Sequence, residues 1–189
     1  MRAWEFRVVA AGLAVLAAAV ALGACGGGSD TNSSEPATFQ NGAYPFTFEY
    51  PNSFQLSENV TLNQNLGGQT ENNMALALDN SDGIILQKAN LNVAVTKANL
   101  DAAKRQFDAL VAKVAPNASG KPTEVGGFPA LEYGSIPVSS IPDGESVITF
   151  LFQDQNEYVI NCQSTPDHRS EIDAACDQAL STLRPTTAS

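Results

Sequence analysis

Basic side chains are scarce in this sequence: ten Lys and Arg stand against twenty Asp and Glu over 189 residues, a net charge of −10. Nucleic acids and anionic lipid headgroups are held by clustered Lys and Arg, so neither is expected as a partner. The acids are spread along the chain rather than run together, as on a soluble acidic surface. Histidine occurs once, at His168, which leaves a four-ligand zinc site short of donors. A hydrolase built on that imidazole would need a serine in an elbow such as Gly-x-Ser-x-Gly, and the chain has none. Asp167 and His168 are better placed in the first turn of a helix, where an acid suits the helix dipole. Internal repeats and recurring β-α-β units are also missing. No enzymatic activity and no cofactor are expected.

One long apolar run occurs, from Val8 to Leu22, behind Arg2 and Arg7. A positive start, a short apolar stretch and small residues after it describe a secretory signal. The stretch ends in Leu22-Gly23-Ala24-Cys25, which resembles the lipobox of bacterial lipoproteins. That resemblance implies a signal peptide over 1–24 and a diacylglyceryl group on the Cys25 thiol. The alternative is an uncleaved membrane anchor, since the run is near the lower limit of about 17 residues for a spanning helix. The position of Cys25, between the apolar run and a Gly/Ser stretch, favours lipidation. Either reading puts the rest of the chain outside the cytoplasm, on the outer face of the cell membrane. Without 1–24 the chain keeps 165 residues, eight basic and nineteen acidic, a net charge of −11. That length suffices for one domain with its own core.

Residues 25–43 read as the lipidated cysteine and a flexible linker, too poor in apolar residues to fold. The seventeen residues from Gly26 to Gly42 would span about 21–25 Å r.m.s.. The folded domain is expected over 44–184, with a tail at 185–189. Tyr44-Pro-Phe-Thr-Phe-Glu-Tyr50 alternates as a half-buried strand does, and Phe54-Gln-Leu56 opens a second strand after a turn at 51–53. Residues 57–73, with seven Asn or Gln in seventeen, read as a long loop. Met74–Leu78 and Ile84–Val95 predict two strands around a turn at 79–83. Asn99 is placed to cap a helix that reaches Ala115, with Leu100, Ala103, Phe107, Leu110, Val111 and Val114 on one stripe. Val147–Phe152 is apolar enough for a central strand, and Tyr158–Cys162 follows by a hairpin. A second helix starts at Thr165-Pro166 and ends before Pro185, its stripe running from Ile172 through Cys176 to Leu183. This is an α+β pattern: an antiparallel sheet with two amphipathic helices covering one face.

With Cys25 lipidated, two thiols remain. Cys162 shares a strand face with Tyr158 and Ile160, and Cys176 lies on the buried stripe of the next helix. Both therefore point into the layer between sheet and helix. An oxidising compartment would join them. A redox pair would want Cys-x-x-Cys spacing and an exposed thiol.

Asp79-Asn-Ser-Asp-Gly83 has something of a calcium loop, but its Gly stands at position 5 where an EF-hand needs it at 6. It reads better as a hairpin turn in which Asp-Gly takes positive φ. The sequons at Asn32, Asn59 and Asn117 fit chance in an Asn-rich chain. Phe128, Tyr133, Ile136, Val138 and Ile141, set among Gly and Pro over 126–144, can either form strands or stiffen a loop that offers apolar contacts.

Tyr44-Pro-Phe-Thr-Phe-Glu-Tyr-Pro51 resembles the opening strand and turn of PsbP/Mog1/DcrB-like domains. Gly126-Gly-Phe-Pro-Ala-Leu-Glu-Tyr133 resembles their segment after the first helix. The chain looks most like actinobacterial lipoproteins of the LpqN type. The resemblance implies a PsbP/Mog1-like domain, α/β/α-like or two-layer and antiparallel, that binds rather than catalyses, with no shared set of site residues. Two functions remain open. The first is a non-enzymatic accessory or binding role, with the bilayer met through acylated Cys25 and an envelope protein or cell-wall component as partner. The alternative is a small-ligand- or metal-binding lipoprotein associated with transport.

Overall fold

A computed structural model describes residues 35–58 and 70–186. The predicted signal peptide, Cys25, most of the expected linker and the core of the 57–73 loop lie outside these residues. Ten strands and two helices are described. Strands β1 (Ala37–Gln40), β2 (Phe46–Tyr50) and β10 (Arg184–Pro185) form a small antiparallel sheet in the order β1-β2-β10. The large sheet has seven antiparallel strands. They are β3 (Gln55–Glu58), β4 (Thr70–Ala77), β5 (Gly83–Asn90), β6 (Lys121–Val125), β7 (Phe128–Pro137), β8 (Glu145–Gln153) and β9 (Asn156–Ser164), in the order β3-β4-β5-β9-β8-β7-β6. Helix α1 (Leu100–Val111) carries the chain from central β5 to the far edge at β6, and hairpins then bring it back until β9 closes on β5.

Both faces of the large sheet are covered, so the expectation of one covered face is wrong. Strands with apolar residues at both parities require this, because alternate side chains point to opposite faces. On β8, Ile148, Phe150 and Phe152 face α1, while Leu151 faces the other way. Phe107 of α1 sits 4.8 Å from the Phe150 ring and 5.3 Å from that of Phe152. Helix α2 (Arg169–Thr182) and the small sheet share the opposite face. There Phe46 packs edge-on against Tyr158 at 5.6 Å and Phe128 at 6.1 Å. The stripe of α1 is buried at Leu100, Ala103, Phe107 and Val111, and that of α2 at Ile172, Ala175, Cys176 and Ala179.

Among the described residues the first strand begins at Ala37, ahead of the expected start of the fold at Tyr44. β1 pairs with β2 from Ala37↔Tyr50 to Gln40↔Thr47, and Phe39 is 1% exposed. Phe39 stacks on Phe48 at 4.8 Å. One aromatic in a polar tetrapeptide was enough, because the partner strand supplies the rest of the cluster. At the other end, Pro185 belongs to β10 rather than to the tail.

Asn99 does stand at the N-cap of α1, but its side chain makes no capping bond. Its Oδ1 accepts from Thr96 N at 2.7 Å and its Nδ2 donates to the Ala94 carbonyl at 2.9 Å, fixing the approach to the helix instead. α2 begins at Arg169 with His168 at its N-cap; Pro166–His168 form a turn. Gly83 has no positive φ; it starts β5, where a Cβ would lie 2.5 Å from the Leu76 carbonyl oxygen. Among the described residues the positive-φ glycines are Gly126 and Gly127, which make the β6–β7 turn. Residues 126–144 fold largely into β7, with Phe128, Tyr133, Ile136 and Val138 buried.

Candidate functional site

The turn after β4 and the N-terminus of α2 meet because β5 and β9 are neighbours, with Gly83 paired to Gln163. Gln163 Nε2 donates to the Ser81 carbonyl at 2.8 Å, tying the two connections together. Within the turn, Asp79 Oδ1 accepts from Ser81 N at 2.7 Å and Asp82 N at 2.9 Å. These donors stabilise the anion, so the Asp79 carboxyl is held below the usual range, the Ser81 N–H contributing most and His168 adding a little. Asp82 is 3% exposed and accepts from the Thr165 N–H at 2.5 Å and its hydroxyl at 3.0 Å. It thereby anchors the entry to α2.

His168 completes the group. Its Nε2 lies 3.8 Å from Asp79 Oδ2, and its Nδ1 lies 3.5 Å from Glu171 Oε2. One oxygen of Asp79, one of Asp82 and one nitrogen of His168 all fall within 4.8 Å of one another. Two oxygens and an imidazole suit a divalent cation, and a carboxylate on the far ring nitrogen is the usual way such an imidazole is oriented. The Asp79–Asp82 segment is a turn, though Gly83 already belongs to β5, and His168 stands at the N-cap of α2, one residue ahead of the helix. Sequence reading could not bring them together, since they are 89 positions apart and meet only through the β5–β9 pairing.

Cys162 and Cys176 are joined, their Cα atoms 6.3 Å apart, with both residues buried between β9 and α2. Cys25 lies outside the described residues. An open groove of about 540 Å³ runs between the β6–β7 edge and α2, lined by Thr123, Glu132, Asp177 and Ser181 among others. It is carboxylate-lined rather than a deep apolar pocket. At the far end of α1, Asp108 Oδ1 accepts from the Tyr133 hydroxyl and Gly120 N–H, both at 2.8 Å, and Lys104 pairs with Oδ2. That knot pins the helix to β7. No helix among the described residues is long and apolar enough to cross a membrane.

No protein-family model matches the chain, and no curated protein matches it in sequence. Solved structures do match. The solution structure of cyanobacterial PsbP (CyanoP) from Synechocystis sp. PCC 6803 has a TM-score of 0.53 at 12% identity, covering 87% of this chain and 99% of that one. The crystal structure of LpqN, involved in cell envelope biogenesis of Mycobacterium tuberculosis, has a TM-score of 0.46 at 14% identity, over 83% of this chain and 87% of that one. The chain therefore has the PsbP-like α+β fold that its Tyr44–Pro51 and Gly126–Tyr133 segments resemble.

Proposed function

We propose that this is a lipid-anchored, extracytoplasmic protein of the cell envelope with a non-enzymatic accessory or binding role. The disulfide between Cys162 and Cys176 is the observation that carries it, because such a bond forms and persists in an oxidising compartment. It agrees with export directed by residues 1–24 and leaves Cys25 as the one cysteine outside the domain. Such a protein meets the bilayer through its acyl chains and a partner through the acidic surface of its domain. Affinity capture from membranes with the disulfide-intact chain over 36–189 tests the binding role. Reproducible enrichment of an envelope protein or cell-wall polymer supports it; recovery no different from an unrelated acidic domain contradicts it.

A second reading, metal binding, is favoured by the Asp79–Asp82–His168 group. Titration with Zn²⁺ or Mn²⁺ should raise the melting temperature saturably, and His168→Ala should abolish the rise. An equal rise in that variant would remove this reading.

A further inference from the structure

The β1–β2 connection holds the one Asn-Gly dipeptide in the sequence, Asn41-Gly42. Asn41 is half-buried and Gly42 is exposed, with nothing within 4 Å of the place a Cβ on Gly42 would take. Asn41 Oδ1 accepts from the Ala43 N–H at 2.9 Å, and the Asn41 carbonyl accepts from the Tyr44 N–H at 3.0 Å. The first of these bonds closes a turn through the side chain, which folds the Asn41 amide back along the Gly42 peptide.

We propose that Asn41 is a modification site, deamidating spontaneously through a cyclic imide formed with the Gly42 nitrogen. The Gly42 N–H gives its proton to solvent base, and the nitrogen bonds to Asn41 Cγ, closing a five-membered ring. The Cγ–Nδ2 bond then breaks, and ammonia leaves with a proton taken from water. Water afterwards opens the imide at either of its carbonyls, leaving aspartate or isoaspartate at position 41. The sum consumes one water and releases one ammonia. Attack at Cγ builds negative charge on Oδ1, and the Ala43 N–H already donates to that atom, as donors in an oxyanion hole do. Gly42 puts no side chain in the way of the approach, and holding the reacting groups together lowers the barrier of an intramolecular step. Asn80-Ser81 makes the contrast. Asn80 is exposed, but the nitrogen that would attack, Ser81 N, donates to the Asp79 carboxylate at 2.7 Å. Losing its proton beside that anion is unfavourable.

The two products differ in what they do to the fold. Aspartate keeps the main chain and adds one negative charge. Isoaspartate inserts a methylene into the main chain of the turn, next to the Gln40↔Thr47 pair and the buried Phe39. The site shares no residue with Cys25 or with the Asp79–Asp82–His168 group, so it stands or falls apart from both. The test incubates the full disulfide-intact chain at mildly alkaline pH and maps its peptides by mass spectrometry, with an isoaspartate-directed methyltransferase marking the isomer. Position 41 should convert about tenfold or more faster than position 80. Gly42→Ala, whose Cβ has open space, should slow that conversion about tenfold or more. Should this variant fail to fold, Asn41→Gln supplies the control, because its longer side chain must close a larger ring and should convert as slowly. Conversion at position 41 no faster than at position 80, or an undiminished rate in the variant, would overturn the proposal.

Discussion

Replacing Glu157 with Gln removes an ionisable group from the interior while keeping its size. Glu157, the second residue of β9, is 5% exposed, and burial pushes its carboxyl from an ordinary 4.5 up to about 8. In the folded chain it is therefore neutral at pH 7, whereas in the unfolded chain it is ionised. A folded-state value above the unfolded one gives a stability contribution that is complete below 4.5 and lost as the pH climbs through 8. Between those limits the unfolded state holds fewer protons, so stability falls by about 1.4 kcal/mol per pH unit. The full span corresponds to about 5 kcal/mol, a ceiling because local opening beside the Asp154–Gln155 turn would admit water first. Urea unfolding of the parent chain and Glu157→Gln at intervals from about pH 5 to about pH 9 measures this directly. Repulsion among the surface carboxylates affects both chains alike, so the difference isolates position 157. The two should be nearly equal at the acid end, with the Gln variant gaining several kcal/mol by the alkaline end. A separation that stays constant with pH would refute the assignment of a neutral buried acid.

Replacing both Cys162 and Cys176 with Ala opens a 15-residue ring and should cost about 3 kcal/mol in chemical unfolding; an unchanged midpoint would show that the crosslink constrains nothing. Phe39→Ala should cost about 3–5 kcal/mol, as for other buried aromatics, whereas a residue in a free linker would cost almost nothing. Tyr133→Phe should cost about 1.5–3 kcal/mol, because the hydroxyl donates to a carboxylate. Burial raises the Asp108 carboxyl, but the hydrogen bonds from Lys104, Gly120 and Tyr133 outweigh it and hold it low. That contribution is present above the ordinary carboxylate range and lost as pH falls through the depressed value, so the Tyr133→Phe penalty should shrink in acid. A penalty independent of pH would contradict this network.

Both helices were legible because an apolar stripe at threes and fours is a local pattern that packing preserves. The disulfide was legible for a similar reason: strand parity and helix stripe each fixed one sulfur's direction. β1 was not, since four residues with one aromatic carry no periodicity and gain their stability only from β2. The covering of both sheet faces was hidden in Val147–Phe152, where an apolar run shows burial without saying what lies on each side. The strand expected from Tyr158 starts earlier, because the hairpin loop is only Asp154 and Gln155, which puts Glu157 in β9 and in the core. Asp79 in its turn and His168 at the entry to α2 carry no local sign of each other, and only the closing of β9 on β5 makes them neighbours.

The central claim concerns Cys25, and metabolic labelling with a fatty-acid analogue tests it most directly. The intact chain should take up the label and partition with membranes, while Cys25→Ser should lose both properties and keep its fold. Label retained in Cys25→Ser, or an unlabelled parent chain that still resides in the membrane, would contradict a lipid anchor at this position.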